Sequence, residues 1–219
     1  MSKKVVSRLI AATCLGLAGL SPAHAIDLLP RMGVQFGNAY MLAGSESNGL
    51  TGGLSLGMTA AGEALFFDVN LEALALDVPG GNFTLVSGYR SEIGATVGVH
   101  VYEGVALIAG YRRATYGESI GSSKLAVNSG PFFGVNFPEL RLGSSNRDIL
   151  SLSIAVQRNT YESATNNIPN DTDVGFSIRL GYRKAGSPHS FGLRYQGFGS
   201  AQFDESITTL QYSYVFGSF

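Results

Sequence analysis

The charged side chains of this chain recur on a two-residue rhythm. Asp68, Asn70 and Glu72 occupy alternate positions, as do Arg90 and Glu92, while Arg112, Arg179, Arg183 and Arg194 sit in other alternating runs. In an extended strand a period of two puts residues on one face. Carboxylates and guanidinium groups that share faces in a confined space have two uses. Paired and packed, they form a salt-bridged plug; wet, they line a small polar passage with a transverse field. Hydrolytic chemistry would need a base, an orienting acid and a nucleophile in one place. Beyond residue 25 the only histidines are His100 and His189, and neither has such a set beside it in the sequence. His100 therefore reads as a polar filler, and His189 as a turn residue next to Pro188. Asp171 with Asp173, and Asp204 with Glu205, have the chemistry to hold a hard cation, yet read as solvated loop acids. Gly52-Gly53 and Gly80-Gly81 precede no helical pattern and are not phosphate loops. No cofactor or metal is expected.

The elements that carry these residues are strands. From Phe83 to Val101 eight of ten odd positions are apolar, against one of nine even positions. Val174, Phe176, Ile178, Leu180 and Tyr182 alternate with Asp173, Gly175, Ser177, Arg179, Gly181 and Arg183. Leu54, Leu56, Met58 and Ala60 do the same with Gly53, Ser55, Gly57 and Thr59. No convincing period of 3.6 occurs. Turn residues divide the chain into ten strands at about 31–42, 50–60, 63–77, 83–102, 104–116, 125–137, 149–159, 173–184, 190–198 and 205–216. Short connections at 61–62 and 102–104 alternate with longer polar ones at 43–49, 117–124 and 160–172. Pro131, which removes a ladder hydrogen bond, and the long connection 138–148 are the weak points of the count; eight strands is the fallback. Gly-Tyr-Arg recurs at 88–90, 110–112 and 181–183, too irregularly spaced for a sequence repeat.

Composition narrows the class further. The 219 residues are 45% hydrophobic and only 14% charged, with 29 glycines, no tryptophan and one cysteine. Lys3, Lys4 and Arg8, an apolar run from Leu9 to Leu20, and Ser21-Pro22-Ala23-His24-Ala25 predict a secretory signal over residues 1–25, with residues 26–219 as a single domain. Lipoprotein processing at Cys14 is disfavoured by the short apolar run ahead of it. Residues 26–219 hold twelve basic residues against sixteen acidic ones, a net charge of −4, which leaves no basic footprint for nucleic acid. They hold no cysteine, which excludes a disulfide scaffold.

Alternation alone does not say which face meets solvent. Here the polar face is Gly, Ser, Thr, Asn and Arg with little lysine, which suits an interior. Tyr40, Phe83, Phe137, Tyr182, Phe191, Tyr214 and Phe216 fall near strand ends on the apolar face, as interfacial girdles do. The chain closes on Leu210, Tyr212, Tyr214 and Phe216 in register, followed by Gly217-Ser218-Phe219. At these residues the sequence resembles the bacterial outer-membrane β-barrels, whose assembly machinery recognises a C-terminal amphipathic strand closing on an aromatic residue. The resemblance implies an all-β, closed, antiparallel up-and-down transmembrane barrel. It also implies a Gram-negative outer-membrane location with both termini periplasmic, and lipid and the barrel assembly machinery as partners of a monomer.

With the apolar face toward lipid, the expected lumen residues are Asp68, Asn70, Glu72, Arg90, Glu92, His100, Arg112, Arg158, Arg179, Arg183, Arg194 and Gln196. A hairpin axis near residue 80 sets Arg90 opposite Asn70 and diagonal to Asp68 and Glu72. An axis at Glu103 makes Glu92 and Arg112 near neighbours, and the turn at 185–189 sets Arg179 opposite Arg194. Closing ten strands brings the third and fourth across from the eighth and ninth, an acid-rich wall facing an arginine wall. The expected role is non-enzymatic: envelope structure, or a narrow pore for small solutes. The alternatives are an embedded hydrolase acting on lipid or peptide, and an adhesin-like binder using loops 117–124 and 160–172.

Overall fold

A computed structural model of the chain describes residues 26–42, 46–77, 87–117, 124–142, 147–163, 171–199 and 204–217. The expected signal segment, Phe83 and Phe219 lie outside these residues. Ten strands follow in order: β1 (Asp27–Leu42), β2 (Glu46–Ala61), β3 (Leu65–Asp77), β4 (Ser87–Tyr102), β5 (Val105–Gly117), β6 (Lys124–Leu142), β7 (Asp148–Ser163), β8 (Asp171–Lys184), β9 (His189–Gly199) and β10 (Asp204–Val215). Each pairs antiparallel with its chain neighbours, and β1 pairs with β10 from Arg31↔Val215 to Leu42↔Asp204, so the sheet closes on itself. Closure pairs the backbone of every strand on both sides, which is what a sheet in hydrocarbon requires.

The strands are longer than expected at most ends. Pro131 does not interrupt β6: it lies on the outward face opposite Tyr111 of β5, and the β6–β7 pairing holds one register across it, from Ser129↔Thr160 to Phe132↔Gln157. Within the expected long connection 138–148, residues 138–142 and Asp148 are strand. β6 continues to Leu142, absorbing Pro138 and Glu139 in an irregularity where the β7 register shifts between Phe137 and Leu140. A bulge lets a strand carry a proline without losing the sheet. Tight turns at Glu103-Gly104 and at 185–188 use Gly104 (φ 74°) and Gly186 (φ 75°) in the left-handed region.

The outward face is the apolar one. Leu54 is 63% exposed, Phe36 65% and Phe133 66%, with Leu71, Ile93, Val97, Leu107, Val156, Leu180 and Leu210 around them. A continuous belt of that size is stable only against lipid. At the end of the barrel that carries the tight turns, His189, Phe191, Tyr212, Tyr214 and Phe216 form an outer aromatic cluster. Ring centroids are 5.5 Å apart for Phe191 and Tyr212 and 4.9 Å for Tyr214 and Phe216. Leu210, Tyr212, Tyr214 and Phe216 thus share the lipid face, and the Phe216 amide closes onto the Pro30 carbonyl at 2.8 Å.

Several lumen glycines face a large side chain directly across the ladder. Gly98 is paired with Phe66, Gly110 with Phe132 and Gly57 with Arg31. A Cβ on Gly98 would lie 2.2 Å from the Phe66 ring, and one on Gly110 would lie 2.4 Å from Phe132. Each glycine thus lets its partner lie flat against the wall, so the glycine richness has a packing reason beyond turns.

Candidate functional site in the barrel lumen

The inward faces change character along the barrel. On β3 they read Asp68, Asn70, Glu72, then Leu74 and Leu76; on β9, Arg194 and Gln196, then Phe198. The apolar ends meet near the longer connections. There Met41, Leu74, Leu76, Tyr116, Tyr161 and Ile207 form one buried cluster with small alanines between them. Below this cap lies a layer of charge. Beyond the charge, toward the tight turns, the lumen opens into a cavity.

The charged layer spans the lumen. Arg194 of β9 donates one guanidinium nitrogen to Glu72 of β3 and the other to Glu92 of β4 at 2.9 Å. Those strands lie across the barrel from β9. Glu92 also accepts from Arg112 Nε at 2.9 Å and from Arg90 Nη2 at 2.5 Å. Arg90 Nε lies 3.0 Å from Glu205 Oε1, and Tyr116 donates its hydroxyl to the other oxygen of Glu205. Asn70 donates to Glu72 at 2.6 Å, and Arg112 donates to Gln157 at 2.9 Å. Arg112 also lies over the Phe132 ring, 5.5 Å from its centroid. Arg90, Glu72, Glu92, Arg194 and Glu205 are all buried. Carboxylates this deep are tolerable only with several donors each, and Glu72 and Glu92 have them.

The structure places Glu72, Arg90, Glu92, Arg112 and Arg194 in one network, with Arg179 at its edge, 3.9 Å from Glu72. Arg179 pairs with Arg194 in the ladder, and Arg112 sits opposite Gly94, diagonal to Glu92. Asp68 stands apart. It takes both guanidinium nitrogens of Arg31, at 2.7 and 3.0 Å, and the Thr59 hydroxyl at 2.6 Å. The expected register of Arg90 needs correction. Arg90 lies opposite Leu74, because the β3–β4 axis falls near residue 82, and it is diagonal to Glu72 only. Arg158 is a second correction. Gln157 and Asn159 beside it are buried in the lumen, so Arg158 points outward and is exposed. Glu205 is a third. It is no solvated loop acid but 1% exposed inside the barrel.

Two charged partners of the expected cluster were missed by sequence reasoning, Arg31 and Glu205, as was Glu139, which pairs with Arg183 at the mouth. The signals for Arg31 and Glu205 were present. Arg31 keeps the parity of Gln35, and Glu205 keeps that of Ile207 and Thr209. Each lies at or just beyond an end of a strand as read from turn residues.

A cavity of about 560 Å³ extends from the charged layer to the tight-turn mouth. Its walls differ. Phe66, Ile108, Phe132 and Ala155 pack into an apolar pad spanning β5 to β7 and reaching β3. Arg31, Arg179 and Arg194, on β1, β8 and β9, supply the guanidinium side. His100 stands at the mouth beside Phe66, ring centroids 5.7 Å apart, and His189 lies outside the lumen, its Nδ1 2.7 Å from the Tyr212 hydroxyl. Among the described residues, no three His, Cys, Asp or Glu side chains are grouped to hold a metal ion.

Comparison with solved structures decides the fold. The β domain of the Bordetella autotransporter BrkA superposes with a TM-score of 0.53 at 9% identity, over 88% of this chain and all of that one. The fold is that of the outer-membrane β-barrels. The translocator domain of the autotransporter NalP from Neisseria meningitidis matches over 97% of this chain and 95% of that one, at 13% identity and a TM-score of 0.43. An outer-membrane channel from Pseudomonas putida F1 matches over 90% of this chain and 100% of that one, at 11% identity and a TM-score of 0.42. No family model matches the sequence, and no curated protein matches it.

Proposed function

We propose that this protein is a sealed outer-membrane barrel with an envelope-structural role, inserted as a monomer by the barrel assembly machinery with both termini in the periplasm. The observation that carries the reading is the double closure of the lumen. The Arg194 bridge to Glu72 and Glu92 crosses it, and the apolar cap around Leu74, Leu76 and Tyr116 fills the end beyond. An aqueous channel needs a continuous polar path, and an apolar constriction breaks one by dewetting. The outer aromatic cluster at the mouth with the tight turns supports the orientation, since short turns face the periplasm in such barrels.

Planar-bilayer recording tests the reading. Purified, refolded protein should insert without discrete conductance steps. Stable steps from the wild-type barrel would refute closure and favour the narrow-pore reading. That second reading has one observation behind it: the cavity already reaches the charged layer from one mouth.

A further inference from the structure

Five arginines line the cavity: Arg31, Arg112, Arg179, Arg183 and Arg194. Four carboxylates answer them. Asp68 takes Arg31, Glu92 takes Arg112 and Arg194, Glu72 takes Arg194, and Glu139 takes Arg183 at 2.8 Å. Above this level Arg90 meets Glu205 at 3.0 Å and also reaches Glu92 at 2.5 Å, adding one cation and one carboxylate. Within this set one positive charge is left over, and the geometry locates it; Glu139 also meets Arg141, at 3.5 Å, a residue that does not line the cavity. Arg179 has no partner closer than Glu72 at 3.9 Å among the described residues, and Glu72 already accepts from Arg194 and Asn70. The Arg179 side chain is 43% exposed, and it lines the cavity.

The same cavity offers a second kind of surface. Phe66, half-buried, is the open face of its apolar pad, with the buried Ile108, Phe132 and Ala155 packed behind it. A pocket with an apolar pad on one side and one unanswered charge among otherwise paired groups on the other takes a ligand with the same division, an apolar body and an opposite headgroup. The volume lies within the usual range for small-molecule sites. A guanidinium recognises a carboxylate through two parallel hydrogen bonds, and a single excess charge matches a monoanion better than a dianion.

We propose that the cavity is a binding site for small amphiphilic monocarboxylates, entering from the tight-turn mouth, with Arg179 holding the carboxylate and the Phe66–Ile108–Phe132 pad holding the apolar body. The proposal does not depend on the sealed lumen. Conductance tests that reading, and equilibrium binding tests this one.

The experiment measures binding of four probes to the refolded barrel in lipid nanodiscs by saturation-transfer NMR and calorimetry: benzoate, benzamide, acetate and phenyl phosphate. Benzoate should bind about tenfold or more tightly than benzamide, which lacks the charge, and than acetate, which lacks the ring. Phenyl phosphate should bind no better than benzoate. Arg179→Gln should weaken benzoate about tenfold or more, and Arg179→Lys should restore part of the loss. Ser177→Asp, which seats a rival carboxylate two residues away on the same face, should abolish binding in a barrel that still resists unfolding at room temperature in detergent. Failure of benzoate to bind at millimolar concentration overturns the proposal. So does equal binding of benzoate and benzamide, or indifference to both the Arg179→Gln and Ser177→Asp changes. Tighter binding of phenyl phosphate overturns the monoanion assignment.

Discussion

Removing Arg90 tests whether the charged layer holds the barrel together. Arg90 is 1% exposed, with Glu92 at 2.5 Å, Glu205 at 3.0 Å and the Tyr116 hydroxyl at 3.3 Å. In Arg90→Met the two acids fare differently. Glu92 keeps Arg112 and Arg194, each at 2.9 Å. Among the described residues Glu205 keeps only the Tyr116 hydroxyl, so a buried carboxylate loses its cation. Breaking a buried pair in this way costs about 3–5 kcal/mol, whereas replacing both partners with neutral groups of similar shape is often close to neutral. Arg90→Met should therefore destabilise the barrel by about 3–5 kcal/mol, and adding Glu205→Gln should recover about 2 kcal/mol or more. Arg183→Met provides the contrast. Its pair with Glu139 is 33% and 41% exposed, and its loss should cost about 0–1 kcal/mol. The assay is reversible urea unfolding in detergent or lipid, followed by circular dichroism and tyrosine fluorescence, since the chain has ten tyrosines and no tryptophan. Equal small losses at Arg90 and Arg183, or strict additivity of Arg90→Met with Glu205→Gln, would refute the claim that the layer is desolvated and coupled.

Three further outcomes follow from the same structure. Leu180→Arg should impair insertion, because Leu180 faces lipid near mid-strand where arginine costs about 2–4 kcal/mol, while Ser177→Arg, which points into the cavity, should insert normally; equal tolerance in a vesicle-folding assay would invert inside and outside. Gly98→Ala places a methyl group 2.2 Å from the Phe66 ring and should destabilise by about 1–3 kcal/mol, with Phe66→Ala in the same chain relieving part of the loss in urea titrations. Unboiled protein should migrate differently from boiled protein on a detergent gel, since a closed ladder has no edge from which to unravel, and identical migration with helical circular dichroism would sink the fold.

The alternation legible in residues 83–101 and 173–183 is a direct print of the lipid boundary, which is why facing and strand count could be read from it. Register was legible only where a turn was short. The 185–188 turn sets Arg179 opposite Arg194 without ambiguity, whereas the axis between β3 and β4 falls between Asp77 and Ser87, outside the described residues, and the reading that sets Arg90 opposite Asn70 is four residues off its partner Leu74. Strand ends were the other blind spot. Outside the hydrocarbon the outward face no longer has to be apolar, so the period fades there. Arg158 shows this: it follows Ile154 and Val156 in parity, points outward with them, yet is charged. Which inward residues share a height was not fully legible, because strand tilt in a closed barrel displaces ladder neighbours along the axis. The missed partner Arg31 is one case, and Glu205 beneath Tyr116 is another.

The bridge from Arg194 also has a history in time. Its partners Glu72 and Glu92 lie 122 and 102 residues earlier in the chain. A sheet built in chain order reaches β3 and β4 long before β9, and through that interval both carboxylates face an open, unclosed trough. Such a half-built sheet is poorly suited to hydrocarbon, because its acids have no cation from across the lumen and its edges have no partner. When β9 docks, both deficits are relieved within one step of closure. In a sheet built in that order the buried ions would act as a clasp: they would penalise insertion of the open ribbon and favour entry of the finished cylinder.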